Sequence, residues 1–390
     1  MLKVLIFASC MSFNYFAFGQ DSTFMQAQQS FALELYANVS GPEYLINSVL
    51  SPISVDISLS VLLVGSSGFT FKQLLNGLKY PANYSINFVQ SNSNLLIKNM
   101  QKVGGLEFVT RLYLSTKYSL QNIYKSAIQK YFNSSISLMD FSDPTSVKTI
   151  NDFVTASTHG MIQNMLDEGD ISPKTALVLV NCIYFKGTWV YQFDKSKISQ
   201  GNFRINKTNS ITVDYMYMTA PVNMGTVDAL KATVIELPYV NTNLTLTIVL
   251  PLSGYSLKNL MKAARSYDWR KVSNMLYNQS VEVTIPKFNA TLKQYLNNPL
   301  INMGMDSLFN ASATQFDHIA HDYGTSVKIT LDYVLHEAVI NVDEEGTTAA
   351  AATVSSARSL PPSFSATRPF LYFLKTSSTI YFIGQFTGQS

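Results

Sequence analysis

The stretch Glu344-Glu345-Gly346-Thr347-Thr348-Ala349-Ala350-Ala351-Ala352-Thr353 is the least core-like part of an otherwise apolar chain. It continues through Val354, Ser355, Ser356, Ala357, Arg358 and Ser359 to Leu360, Pro361 and Pro362. Before Leu360 its only large apolar side chain is Val354. About 20 residues without core-forming side chains, set inside a compact domain, mark a functional or disordered segment. On both sides the sequence turns apolar again. Residues 337–342 precede the stretch, and 370–375 and 379–386 follow it, all with the composition of β-strands.

Further out, residues 175–185 are nearly continuous apolar, as a strand buried on both faces requires. Residues 233–238, 244–250 and 281–288 are further strand candidates. Helical periodicity lies earlier in the chain. Phe24, Ala27, Phe31 and Leu35 predict a first helix ending near Asn38. Ser51-Pro52 reads as an N-cap followed by proline at the first helical position, with Val55, Leu59 and Leu62 continuing the stripe. Ile150, Phe153, Val154, Ile162 and Met165 predict a helix over 146–166. Helices first and strands later give an α+β fold with large antiparallel sheets. No repeat, charge block or long linker divides the chain, so a single domain is expected.

Of the 390 residues 47% are apolar and 14% charged, enough for a large core and far from a disordered composition. A net charge of +3 gives no reason to expect a nucleic-acid partner. Residues 1–19 read as a signal peptide. Lys3 supplies the positive start, residues 4–8 and 13–18 the apolar part, and Ala17-Phe18-Gly19 the small-x-small cleavage pattern. Ser9, Ser12 and Asn14 interrupt it, so it is not read as a membrane anchor, and no later segment reaches about 18 uninterrupted apolar residues. The expected product is a secreted, extracellular domain over 20–390. Eight N-x-[ST] sequons follow, at Asn38, Asn83, Asn133, Asn206, Asn243, Asn278, Asn289 and Asn310, and several are expected to carry glycans. Cys10 leaves with the signal peptide. Cys182 then stands alone in an apolar run, a buried small hydrophobe with no disulfide to form.

No enzyme constellation emerges. There is no G-x-S-x-G elbow, H-E-x-x-H, C-x-x-C, Walker loop or G-x-G-x-x-G. His318 and His321, flanked by Asp317 and Asp322, form a loose metal-ligand pattern that reads better as a solvated loop. His159, in Thr158-His159-Gly160, is expected near a helix end in a structural role. No cofactor and no metal are expected.

Several ordered motifs carry a resemblance to a known family. Residues 344–353 resemble the proximal hinge of the reactive loop of an inhibitory serpin. Arg368-Pro369-Phe370 and Phe382-Ile383-Gly384 resemble that family's C-terminal signature. Asn47-Ser48-Val49-Leu50-Ser51-Pro52-Ile53-Ser54 is similar to its N-x-x-x-S-P-x-S motif, and Asn151 to Ile162 to its N-x-x-V-x-x-x-T-x-G-x-I helix. Leu179-Val180-Asn181-Cys182-Ile183-Tyr184-Phe185-Lys186-Gly187-Thr188-Trp189 is close to a family strand. Glu236-Leu237-Pro238-Tyr239, Pro286-Lys287-Phe288 and Met303-Gly304-Met305 complete a match from about residue 24 to 388. One departure is Thr110 before Arg111-Leu112-Tyr113, where the family often has Asn, with no consequence expected.

The resemblance implies three β-sheets, eight or nine helices and an exposed loop over about 344–367. It also implies a trap. A protease attacks the loop as a substrate and forms a covalent acyl-enzyme, and the cleaved loop inserts into the central sheet as a new strand. The fold before cleavage is then trapped kinetically. An inserting strand alternates its faces, so Thr347, Ala349, Ala351, Thr353 and Ser355 point one way. If that way is inward, their small size avoids overpacking and buried charge. Gly346 gives the bend at the strand exit. By resemblance, Ser51, Ser54, Asn181 and His336 form a hydrogen-bonded shutter beneath the sheet, and Trp189 sits at the breach where insertion begins.

Two readings of the reactive bond compete. Counting Glu344 as the first residue, the seventeenth is Leu360, but Pro361 behind it makes a poor leaving group. Arg358-Ser359 lies two positions earlier, and its arginine suits the acidic pocket of a trypsin-like enzyme. Arg358-Ser359 is preferred over Leu360-Pro361 and Ser359-Leu360. The expectation is a monomeric inhibitor of an extracellular trypsin-like serine protease. The alternatives are an inhibitor of an elastase- or chymotrypsin-like or cysteine protease, or a non-inhibitory carrier or storage protein. Lys72, Lys79, Lys98 and Lys102 are too scattered for a heparin site.

Overall fold

Pro52–Val64 forms a helix in which every residue is buried. Its apolar residues cover all sides, and serines at 54, 58 and 60 are the small polar exceptions, the pattern of a helix enclosed by protein. Ser51 is extended (φ −107°, ψ 94°) and Pro52 opens the helix, as the sequence suggested. Helices Ser22–Val39, Gly68–Gly77 and Ile86–Met100 pack around it, and strands Leu177–Phe185 and Ile380–Phe386 lie against it. The computed structural model describes residues 22–41, 46–322, 328–345 and 361–389.

Among the described residues there are eight α-helices, four short 3₁₀ helices and three sheets, an α+β fold. The largest sheet has nine strands. Its central path runs Ile380–Phe386, Phe370–Lys375, Thr245–Pro251, Ala232–Pro238, Ser210–Val227 and Tyr277–Pro286, all antiparallel. Ser363–Ser365 closes one edge, parallel to Tyr277–Pro286. Ala320–Asp322 and Tyr118–Leu120 form a two-stranded ribbon. The third sheet has five strands, in the order Phe288–Tyr295, Leu331–Val342, Leu177–Phe185, Leu106–Ser115 and Ser135–Met139.

The expected elements recur with shifted ends. The first helix ends at Val39. The helix expected over 146–166 stops at Ser157, because His159 and Gly160 are left-handed (φ +52° and +80°) and reverse the chain. Ile162 and Met165 still reach the core, from a non-helical segment. Residues 281–288 belong to two strands, broken after Pro286. The strand expected at 337–342 starts six residues earlier, at Leu331. The sheets are largely antiparallel as expected, but the five-stranded sheet also contains two parallel pairs.

The central helix carries one ionisable group. Asp56 is buried in the central helix, its Oδ1 accepting from the Tyr80 hydroxyl at 2.7 Å and its Oδ2 unpartnered. Burial raises its pKa to about 7, which the Tyr80 hydroxyl only partly offsets. The folded chain therefore binds a proton at Asp56 that the unfolded chain has lost above pH 3.8. That contribution to stability is complete in acid and is lost as pH rises through about 7, by on the order of 4 kcal/mol. Asp56→Asn keeps the shape and an acceptor for Tyr80. We predict a higher melting temperature than wild type at pH 8, with the gap closing as pH falls toward 4. A variant less stable than wild type at pH 8 would contradict this reading.

Candidate functional site

The five-stranded sheet has a seam. Leu331–Val342 and Leu177–Phe185 are neighbours in its middle and run parallel, with Val334 opposite Leu179 and Ile340 opposite Phe185. Each is antiparallel to its other neighbour, Phe288–Tyr295 on one side and Leu106–Ser115 on the other. A parallel pair is slightly less stable per residue than an antiparallel one. It also leaves a place whose two sides both suit a strand running the opposite way. The chain leaves Leu331–Val342 at its far end and passes directly into Asp343, Glu344 and Glu345.

A polar network crosses beneath the seam. His336, Asn181 and Thr110 are in register on three adjacent strands. The His336 Nδ1 and the Asn181 Oδ1 are 2.6 Å apart, and His336 Nε2 accepts the Ser51 backbone N–H at 3.2 Å. These two bonds fit one neutral tautomer, with the proton on Nδ1 donated to Asn181. Ser54 Oγ donates to Asn181 Oδ1 at 2.8 Å, and Asn181 Nδ2 donates to Thr110 Oγ1 at 3.1 Å. Ser51 Oγ donates to the Tyr381 carbonyl at 2.7 Å. Ser58 Oγ is 2.9 Å from Thr110 Oγ1. Ser51, Ser54, Asn181 and His336 thus meet as the sequence reading grouped them, in a buried and well-satisfied cluster. Thr110 and Ser58 were missed. Thr110 had been set aside as an inconsequential departure, yet it holds the third strand of the network.

The top of the seam is held differently. The buried Trp189 donates Nε1–H to the Asp343 carbonyl at 2.7 Å and stacks on Tyr239 with ring centroids 4.2 Å apart. Lys186 lies 2.6 Å from a Glu345 carboxylate oxygen and 3.3 Å from Asp343, and Lys287 lies 2.6 Å from Glu344. The neighbouring ammonium groups hold Glu344 and Glu345 below the usual carboxylate range. The lysines and Glu345 are partly exposed, so solvent screens these pairs, although Glu344 and Asp343 are largely covered. The hydrogen bond of the buried indole is the firmer tie. Lys186 and Lys287 stood within quoted motifs, but their partners could not be read from sequence.

Gly346, Thr347, Thr348, the alanines 349–352, Thr353, Arg358, Ser359 and Leu360 lie outside the described residues, as do 1–19. Pro361 is described, and its neighbour Pro362 accepts the Glu282 N–H, leading into the edge strand Ser363–Ser365. Seven of the eight sequon asparagines are exposed, and Asn38 is half-buried in the last turn of its helix. Cys182 is buried. His159 caps the end of its helix and is exposed, as are His318 and His321. No group of three metal-ligating side chains occurs among the described residues. No helix among them is long and apolar enough to cross a membrane.

The His336 geometry has a pH consequence. Burial lowers its pKa to about 3 from 6.5. A second proton, on Nε2, would set a donor against the Ser51 N–H. Between pH 6.5 and 3 the unfolded chain binds a proton that the folded one does not, so stability falls as pH falls, by about 1.4 kcal/mol per unit. Asp56 acts in the opposite direction, so the comparison must be made against a single variant. We predict that the stability advantage of wild type over His336→Gln, followed by thermal melting, shrinks steadily from pH 7 to 4. A difference independent of pH would contradict the assignment.

A family model described as serpin (serine protease inhibitor) matches residues 26–388. The chain is 30% identical to mouse Serpin B11 over 92% of its own length and 98% of that protein. It is 31% identical to the human leukocyte elastase inhibitor over 93% and 98%. The crystal structure of the mouse protein-Z-dependent protease inhibitor superposes with a TM-score of 0.85, covering 95% of this chain and 98% of that one at 22% identity. Sheet order, seam and sequence agree: the chain belongs to the serpin family of protease inhibitors.

Proposed function

We propose that this chain is a secreted suicide-substrate inhibitor of a trypsin-like serine protease. One observation carries the reading: a parallel seam in the middle of the five-stranded sheet, continuous at its top with the small-residue stretch. A chain that leaves Val342 and turns back runs antiparallel to both seam strands. Thr347 to Arg358 is twelve residues, the same as Leu331–Val342. Insertion replaces one parallel ladder by two antiparallel ones, a net gain of about ten hydrogen bonds, or ~5–15 kcal/mol. That rivals the whole stability of an ordinary domain. The small side chains of Thr347, Ala349, Ala351, Thr353 and Ser355 suit the inward face, above the buried central helix.

The protease does the bond chemistry. Its serine oxygen attacks the Arg358 carbonyl carbon, the bond to the Ser359 nitrogen breaks, and the amine leaves with a proton. An ester then joins the Arg358 carbonyl to the protease. Insertion carries that ester away from the entry point, faster than water can hydrolyse it. The leading segment 1–19 and the exposed sequon asparagines support secretion with glycans attached. The name of the human relative, leukocyte elastase inhibitor, favours a second reading, in which Leu360 directs the loop to an elastase-like enzyme.

Mixing the purified protein with trypsin, then denaturing electrophoresis and mass analysis of the released C-terminal peptide, tests the proposal. We predict a denaturant-resistant complex and a peptide beginning at Ser359. A peptide beginning at Pro361 would move the reactive bond to Leu360. Cleavage without complex by both trypsin and elastase would contradict the inhibitor reading. Expression in a secreting cell with peptide-N-glycosidase treatment tests the glycans. We predict a mass loss, with Asn38 unmodified because it is half-buried and its amide donates to the Glu34 carbonyl. An unchanged mass would contradict it.

A further inference from the structure

We propose that the cavity between the hairpin of Ser199–Arg204 and Ser210–Val227, the helix Leu257–Ala264 and the Arg368-Pro369 segment binds a compact polyanion carrying two or more phosphate or sulfate groups. The cavity is about 980 Å³, within the range of small-molecule sites and far larger than one tetrahedral oxyanion needs. Arg204 and Lys207 reach it from the hairpin, Lys258 from the helix and Arg368 from the segment leaving the loop. No acidic side chain lines it among the described residues. Tyr255 and Leu252 supply apolar wall.

Three of these cations, Arg204, Lys207 and Arg368, have no acidic partner among the described residues. The side chains of Arg204 and Lys207 make no ion pair or hydrogen bond among the described residues. Arg368 is half-buried and donates one Nη2–H to the Pro251 carbonyl at 2.6 Å, leaving its other donors free among the described residues. Burial, and secondarily the Arg204 charge, press its pKa downward, so the two guanidinium groups feel one another. By contrast, Lys375 and Lys186 are paired with Glu236 and Glu345. A cleft lined by one sign of charge focuses its field on a ligand of the opposite sign, and arginine presents planar forks that match phosphate and sulfate oxygens. The hairpin is already tied to the loop exit, where the Arg204 N–H donates to the Thr367 carbonyl at 2.9 Å. A ligand touching all four cations would therefore fasten the loop's C-terminal anchor to two other segments.

The test uses the full-length protein, with inositol hexakisphosphate and sucrose octasulfate as probes and inorganic phosphate as the single-anion comparison. Binding is followed by calorimetry and by melting temperature at about 0.15 M salt, where surface charges are partly screened. We expect saturable binding of at least one polyanion, with a raised melting temperature, and the tighter probe identifies the preferred ester. The double variant Arg204→Gln/Lys207→Gln changes two exposed, unpartnered side chains. It should melt as wild type does without ligand and bind at least about tenfold more weakly. No saturable binding of either polyanion would overturn the proposal. So would equal affinity in the double variant, or inorganic phosphate matching the polyanions. Neither readout involves a protease, so failure here would leave the inhibitor reading untouched.

Discussion

The hydrogen bond from the His336 imidazole to the Asn181 amide spans two strands that run side by side in the same direction. Much of the molecule is arranged around that bond. The central helix supplies Ser51 and Ser54 to fix the imidazole and the amide, and Thr110 extends the tie to the next strand. Because the ring is buried and neutral, each nitrogen has one role and neither is idle. A strand entering the seam must part this pair. In the proposed mechanism the network is both a structural staple and a barrier to strand insertion.

Magnitudes separate the parts of that barrier. The ion pairs at the top of the seam each have a partly exposed partner and are weakened by solvent screening. The buried polar cluster is costly to open, since every group released without a new partner forfeits about 1–3 kcal/mol. Against this stands a net gain of one hydrogen-bonded ladder once a strand is in place. A large final gain behind a smaller initial cost describes a fold held kinetically. The bond cut by a protease matters in this account because it frees one end of the loop, not because it supplies energy to the sheet.

Some of this was legible in the sequence. The run from Thr347 to Thr353 announces itself by lacking core side chains, and Pro52 marks the start of the central helix, although the Ser51 hydroxyl bonds Tyr381 rather than capping it. The fold class followed from the order of helical and strand patterns. What escaped has identifiable causes. Ser210–Val227 carries Pro221 inside an 18-residue strand, against the usual composition of strands. The helix beginning at Ser146 kept its apolar spacing past the point where His159 turns the backbone. Thr110 is an ordinary residue until strand register places it beside Asn181, and Ser58 until the central helix turns it toward Thr110. Arg204, Lys207, Lys258 and Arg368 come from distant segments, so no local charge count could have gathered them.

Under the proposed function, the seam between Leu177–Phe185 and Leu331–Val342 opens to admit the loop as a strand. Amide hydrogen exchange of these two segments, read by mass spectrometry before and after a protease has cut the loop, tests it most directly. Both strands should become markedly more protected after cleavage, together with residues 347–358 as a new strand between them. Exchange in the two strands that is unchanged by cleavage, with no protection of residues 347–358 in the cut protein, would contradict it.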